Sequence, residues 1–269
     1  MSYCVALKLS RGLVFMSDTL TNGGLDNVSR YPKTFSWGVD GERQIMLTTA
    51  GNLATSQAVV SILSEQTKER EKRSPSILEA PTMFQVARTV SETLAEVIKS
   101  SARGQQQAES TFTSTFILGG QIKGGAARLY LIYPEGNFIE VSEENPFFQI
   151  GETKYGRPIL VRAFEKDMTF EDAIKLLMVS FDSTIKANLS VGPPLDINIY
   201  EMDKYKTPKH LKIDADNPYL QMVSREWGQA LRESLYSLPK FTFDGWEVSK
   251  CKIAKVAVFW FGDKANTRW

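Results

Sequence analysis

Met1-Ser2-Tyr3-Cys4-Val5-Ala6-Leu7-Lys8-Leu9 opens the chain, and two signals overlap in it. One is a strand: Tyr3, Val5, Leu7 and Leu9 fall on one face and Cys4, Ala6 and Lys8 on the other, the period-2 alternation of a pleated chain. The other is a hydroxyl directly behind the initiator methionine. Serine is small enough for ordinary methionine removal. That step leaves Ser2 with a free α-amine titrating near pH ~7.7–8.0, so part of it is an unprotonated base at neutral pH. A hydroxyl and a base on one residue are the minimum for a self-activated nucleophile. A chain that keeps Met1 has an amide at the Ser2 nitrogen and no such base. A translation start without chemistry is the competing reading.

The neighbouring residues extend the pattern. Ser10-Arg11-Gly12 reads as a tight turn with Gly12 supplying positive φ, and Leu13 to Ser17 returns as a second strand. That return delivers Asp18 beside the start of the first strand. Lys33 follows a Gly-rich excursion, Thr21-Asn22-Gly23-Gly24. A buried lysine held by an aspartate is a charge able to favour ionisation of a serine hydroxyl; a purely structural ion pair is the alternative.

These residues resemble the proteasome β-type family. In that family an N-terminal Thr or Ser is followed by a hairpin, an aspartate turn, a lysine and an Ala-Gly oxyanion turn. Here they correspond to Ser2, Ser17-Asp18-Thr19, Pro32-Lys33-Thr34 and Thr48-Thr49-Ala50-Gly51-Asn52. The bacterial Anbu (ancestral β subunit) branch is similar in Ser-Tyr-Cys-Val-Ala-Leu, in Gly12-Leu13-Val14-Phe15, in Phe116 to Ile122 and in Asn188-Leu189-Ser190-Val191-Gly192. The likeness spans roughly residues 2–205. It implies an α+β fold, a four-layer αββα sandwich, and peptide-bond hydrolysis. It implies catalytic roles for Ser2, Asp18, Lys33, Gly51 and Ser190, and puts Thr21, Tyr31, Thr49 and Leu53 around the substrate side chain. A threonine-lined pocket implies a medium-sized, uncharged preference. Self-assembly into a ring or open spiral is implied as well.

Two positions depart from the family pattern. A Gly-Ser-Gly turn, whose serine supports the nucleophile, reads Gly151-Glu152-Thr153 here, so the supporting hydroxyl is either Thr153 or missing. An aspartate expected just before Ser190 is replaced, Ala187 or Asn188 standing there. These departures favour the first rival reading, a non-catalytic particle that assembles and binds peptides. The second rival is an amidase of the same chemistry acting on a small molecule.

Composition narrows the classes. At 269 residues the chain can bury a large core, and Lys+Arg 32 against Asp+Glu 31 argues against an electrostatic nucleic-acid binder. The Cys count of 2, at Cys4 and Cys251, gives no disulfide framework, and no secretory segment or run approaching the ~20 apolar residues of a membrane span is present. A soluble, cytoplasmic protein without metal or cofactor is expected. His210, the 1 histidine, sits in a polar stretch and reads as a surface residue, with no second His or nearby Cys to make a zinc site. No phosphate-binding Gly-rich loop is present, so energy for unfolding substrates would come from another chain.

Downstream, residues 53–67 carry Ala58, Val59, Ile62 and Leu63 at helical spacing, and charged 68–73 continue as a solvated end. Ser74-Pro75 and Ala80-Pro81 punctuate a connection. Thr82 caps a helix with the stripe Met83, Ala87, Val90, Leu94, Val97 and Ile98, ending before Gly104. Ser110 to Ile122, 128–133, 138–141 and 147–150 read as strands of an antiparallel meander. Thr169 caps a helix with Phe170, Ile174, Leu177, Phe181 and Ile185 on one face, its first turn acidic. Leu195 to Tyr200 is a strand, 219–235 a helix, and Lys252 to Phe261 a closing strand; Trp260 and Trp269 are candidates for subunit contacts. The chain reads as one domain over 1–269, with 206–269 as its C-terminal extension.

Overall fold

The computed structural model describes residues 2–22, 28–68, 76–102 and 110–241. Gly23-Gly24, the charged run from Glu69, Ser74-Pro75, Gly104, Cys251, the strand expected at Lys252 to Phe261, Trp260 and Trp269 all lie outside the described residues. Two compact units divide the chain, Met1–Ser224 and Arg225–Trp269.

β1 (Tyr3–Leu9) and β2 (Gly12–Asp18) form the expected hairpin, Leu9 opposite Gly12 and Cys4 opposite Ser17. Gly12 takes φ +153, and a Cβ there would lie 2.0 Å from the Tyr200 carbonyl oxygen, so no side chain fits. β3 (Leu20–Asn22) and β4 (Val28–Arg30) make a small two-stranded ribbon that leads to Lys33. β5 (Thr34–Val39) and β6 (Arg43–Gly51) follow, then helix α1 (Leu53–Lys68) and α2 (Met83–Ser101). Thr82 does cap α2, its side chain accepting from the Gln85 N–H.

Ser110–Phe112 is a single 3₁₀ turn and strand β7 starts only at Ser114, so the strand expected from Ser110 is four residues shorter at its start. The reason is local: the Thr113 carbonyl is taken by Asn52 N–H and the Phe112 carbonyl by the Thr55 hydroxyl, which bends the chain at the entrance of α1. β8 (Arg128–Ile132), β9 (Phe138–Glu140) and β10 (Phe147–Gly151) complete the meander. α3 (Arg157–Ala163) is a short helix with Pro158 in its first turn, an element the residue pattern did not announce. α4 (Phe170–Ala187) starts at the Thr169 cap, and β11 (Leu195–Glu201), β12 (Lys209–Ile213) and α5 (Pro218–Ser237) follow. β12 lies within 206–213 and pairs with β11, so the stretch after Tyr205 begins inside the sheet.

Two five-stranded sheets result, β10-β1-β2-β11-β12 and β5-β6-β7-β8-β9. Three apolar clusters fill the spaces between layers. Tyr3, Val5, Leu7 and Leu9 pack with Leu177 and Phe181 of α4, the Tyr3 and Phe181 rings 4.5 Å apart. Cys4, Ala6, Leu13 and Phe15 meet Met46 and Ile117 between the sheets. Ile45, Leu47 and Leu118 face Val59 and Leu63 of α1 and Val90 and Leu94 of α2. The alternation in residues 3–9 is thus two cores back to back, and the architecture is the α+β four-layer αββα sandwich that the resemblance implied.

Candidate active site

Ser2 precedes β1 at the mouth of a cavity of about 310 Å³. Lys33, Ala50 and Gly51 line it, as do Thr21, Tyr31, Thr49 and Leu53, so all four residues expected around a substrate side chain are there. Ser56, Gln57, Val60 and Ser61 of α1 and Phe35 of β5 complete the wall. Sequence reading missed these. Gln57, Val60 and Ser61 recur at helical spacing on α1, a signal that reads as a second face beside the apolar one.

Asp18, at the end of β2, is fully buried and organises the site. Its Oδ1 accepts the Tyr3 N–H at 2.9 Å and the Lys33 Nζ at 2.6 Å. Lys33 Nζ also donates to the Leu20 carbonyl at 2.7 Å. An ammonium has three N–H bonds, so one remains to serve the cavity that Lys33 lines. Burial pushes the Asp18 carboxyl above the usual carboxylate range, outweighing the opposing pull of Lys33 and the Tyr3 N–H. Behind the pair, Cys4 Sγ lies 3.5 Å from the Thr49 carbonyl, and burial raises this thiol to about 12. It is no thiolate nucleophile at neutral pH.

Gly51 ends β6. Thr49 N–H donates to the Lys33 carbonyl, on the β5 side of the strand, while Asn52 N–H donates to Thr113 on the β7 side. Amides two residues apart in a strand point the same way, so the Gly51 N–H shares the side of Thr49. β5 begins only at Thr34, opposite Thr48, so Gly51 has passed the end of that neighbour and its amide looks into the cavity.

Ser2 is held from its other side by the β10–α3 loop. Its carbonyl accepts the Glu152 N–H at 2.7 Å. Gly151 makes this approach possible: it takes φ +82, and a Cβ would sit 2.0 Å from the Ser2 oxygen. Glu152 is buried, and its Oε2 accepts Asn188 Nδ2 at 2.9 Å while Asn188 Oδ1 accepts the Ser190 N–H at 2.9 Å. Thr153, the expected supporting hydroxyl, takes no part in these contacts. Ser190 is half-buried and is not among the residues lining the cavity. Its loop approaches the site through Gly192, whose amide lowers the Asp18 pKa, and through Pro194, whose carbonyl accepts both Thr19 N–H and Thr19 Oγ1. His210 is exposed on β12, 3.2 Å from Asp196, away from all of this. Among the described residues no cluster of three or more His, Cys, Asp or Glu is placed to hold a metal ion.

The buried Lys33–Asp18 pair stands behind a cavity lined by Ser2, Lys33 and Gly51, and the model of the family described as "Proteasome subunit" matches residues 2–199. The chain belongs to the proteasome subunit family. Solved structures of the Anbu branch are similar along nearly the whole chain. An Anbu (Gly-1) mutant from Hyphomicrobium sp. strain MC1 is 45% identical with TM-score 0.83, covering 90% of this chain and 100% of that one. Anbu (ancestral beta-subunit) from Yersinia bercovieri is 40% identical with TM-score 0.82, covering 89% and 98%. The helical assembly of the Anbu complex from Pseudomonas aeruginosa is 41% identical with TM-score 0.82, covering 90% and 98%. Against curated proteins the chain has no match.

Proposed function

We propose that this chain is a self-assembling proteasome-type peptidase whose nucleophile is Ser2, freed by removal of Met1. The observation that carries the reading is Asp18 bridging Tyr3 N–H and Lys33 Nζ, with Ser2, Lys33 and Gly51 lining one cavity. In the reaction, Ser2 Oγ attacks the scissile carbonyl as its proton passes to the Ser2 amine, directly or through water. Lys33, oriented by Asp18, favours the alkoxide, and the Gly51 N–H donates to the oxyanion, a kind of interaction worth ~2.7–4 kcal/mol elsewhere. The amine then protonates the leaving nitrogen, the C–N bond breaks, and water hydrolyses the Ser2 ester. Among the described residues no carboxylate lines the cavity, which supports a P1 side chain that carries no positive charge.

Ser190 is proposed to act through its loop, holding the path from Asn188 to Gly192. Assembly is supported by the helical Anbu complex of Pseudomonas aeruginosa. It is supported too by Leu231 and Leu235 of α5, exposed by 50% and 64% one helical turn apart. Among the described residues no helix is long and apolar enough to cross a membrane, and we place the particle in the cytoplasm.

The test is covalent labelling of Ser2 by a β-lactone, read by intact mass. Wild type lacking Met1 gains one adduct and Ser2→Ala gains none; labelling that survives in Ser2→Ala refutes the nucleophile. A second reading, a catalytically silent particle, is favoured by Asn188, whose amide is spent on Glu152 and Ser190. A Met1-free wild type that stays unlabelled would establish it.

A further inference from the structure

Glu152 carries a buried carboxylate that neither the fold nor the reaction above accounts for. It is 8% exposed, and among the described residues no Lys, Arg or His stands at ion-pair distance from it. Its acceptors receive only amides, the Asn188 Nδ2 at 2.9 Å and the Lys154 N–H at 3.4 Å. A carboxylate buried without a cation is costly, so such a group marks the place of a missing positive charge.

The register identifies that charge. β1 and β10 pair with Tyr3 opposite Gly151 and Cys4 opposite Ile150. One step further puts Ser2 opposite Glu152, and Glu152 N–H does donate to the Ser2 carbonyl at 2.7 Å. Residues opposite one another in an antiparallel hydrogen-bonded pair turn both their N–H and C=O toward the partner. The Ser2 nitrogen therefore points to the main-chain carbonyl of Glu152, on the same loop residue whose side chain carries the carboxylate. Once Met1 is gone, that nitrogen is an ammonium.

We propose that Glu152 is the positioning residue of the Ser2 α-amine: it holds the ammonium after methionine removal and raises its proton affinity. The proposal rests on the reading of Ser2 as a free N-terminus and deepens it. The acid lacking at Asn188 is supplied from the facing loop. Asn188 now serves as the neutral partner that fixes the Glu152 carboxylate and, through Ser190 N–H, the loop leading to Gly192 and Asp18. Among the described residues, the charged groups on the neighbouring elements are Asp18 of β2, which holds Tyr3 N–H, and Lys33 before β5, which Asp18 already pairs. On α4, Asp182 is paired with Lys186 at 3.1 Å.

The test uses protein produced with Ser2 as its first residue by cleaving an N-terminal fusion. Competitive acetylation of the Ser2 amine across pH gives its pKa whether or not the protein is an active enzyme. Glu152→Gln keeps an oxygen for Asn188 Nδ2 and removes only the charge, so a merely structural role leaves the profile unmoved. The expected result is a fall in the amine pKa of about one unit or more in Glu152→Gln, the size set by an opposite charge a few ångströms away. Adding Asn188→Asp to that variant should restore most of the shift, since the charge then returns on the other side of the same hydrogen bond. An identical amine pKa in wild type and Glu152→Gln, both folded by circular dichroism, overturns the proposal. A shifted pKa in a protein that β-lactone does not label keeps the proposal and removes the peptidase reading instead.

Discussion

Among the described residues Lys33 and Asp18 are each other's only ion-pair partner, with side chains 7% and 0% exposed. Removing one member of such a pair leaves a bare charge, a change that typically costs ~3–5 kcal/mol. Lys33→Ala is therefore expected to lower the unfolding free energy from urea titration by that amount, with a fall in the midpoint, and to abolish β-lactone labelling together. A variant that loses labelling with an unchanged midpoint would show that the pair acts on chemistry alone. Burial also raises Cys4 and Tyr3, each to about 12, from 9.0 and 10.0. As pH rises above about 9, the native chain still binds protons that the unfolded chain has released, so the unfolded state binds fewer and stability falls with pH. At neutral pH both groups are uncharged in either state and the full contribution is present. Urea midpoints measured from about pH 8 to about pH 10.5 should decline, and Cys4→Ala should flatten part of that slope.

The elements act by carrying Ser2 to its place. The β10–α3 loop grips the Ser2 carbonyl through Glu152 N–H, and Gly151 permits it. Gly151→Ala would drive a methyl group into the Ser2 oxygen at a backbone angle that L residues rarely adopt. A displacement of about 1 Å costs ~10²-fold in well-oriented reactions, and the labelling rate is expected to fall by that factor. α4 tests a different link. Thr169 accepts the Asp172 N–H at 3.1 Å as its N-cap, and Thr169→Ala should cost ~1 kcal/mol in thermal or urea unfolding while Ser2 still labels at the wild-type rate.

At the scale of the molecule, the proposed self-assembly is the property to test. Leu231 and Leu235 are proposed to meet other copies, so Leu231→Glu with Leu235→Glu is expected to shift sedimentation velocity toward the single chain. An unchanged sedimentation profile would assign assembly to other surfaces.

The sandwich was legible because its strongest signals are local. The alternation in 3–9, the Ser10-Arg11-Gly12 turn and the caps Thr82 and Thr169 follow from pleat geometry, φ preference and unsatisfied helix N–H groups. The Asp18–Lys33 pair could be anticipated because one hairpin and one ribbon bring the two together over a short stretch of chain. α3 was not legible, being seven residues long with its boundary set by packing. Nor was β12, whose polar residues pair at a half-exposed sheet edge. The partnership of Glu152 with Asn188 spans 36 residues and two loops, a pairing that no local periodicity encodes. By itself, the sequence determined the hairpin, the helix caps and the choice of Ser2 as the proposed nucleophile, because each is read from neighbours along the chain. Only the tertiary structure decided which way the Gly51 amide points, how dry Asp18 becomes and what stands opposite the first nitrogen, because those depend on register and burial between distant strands.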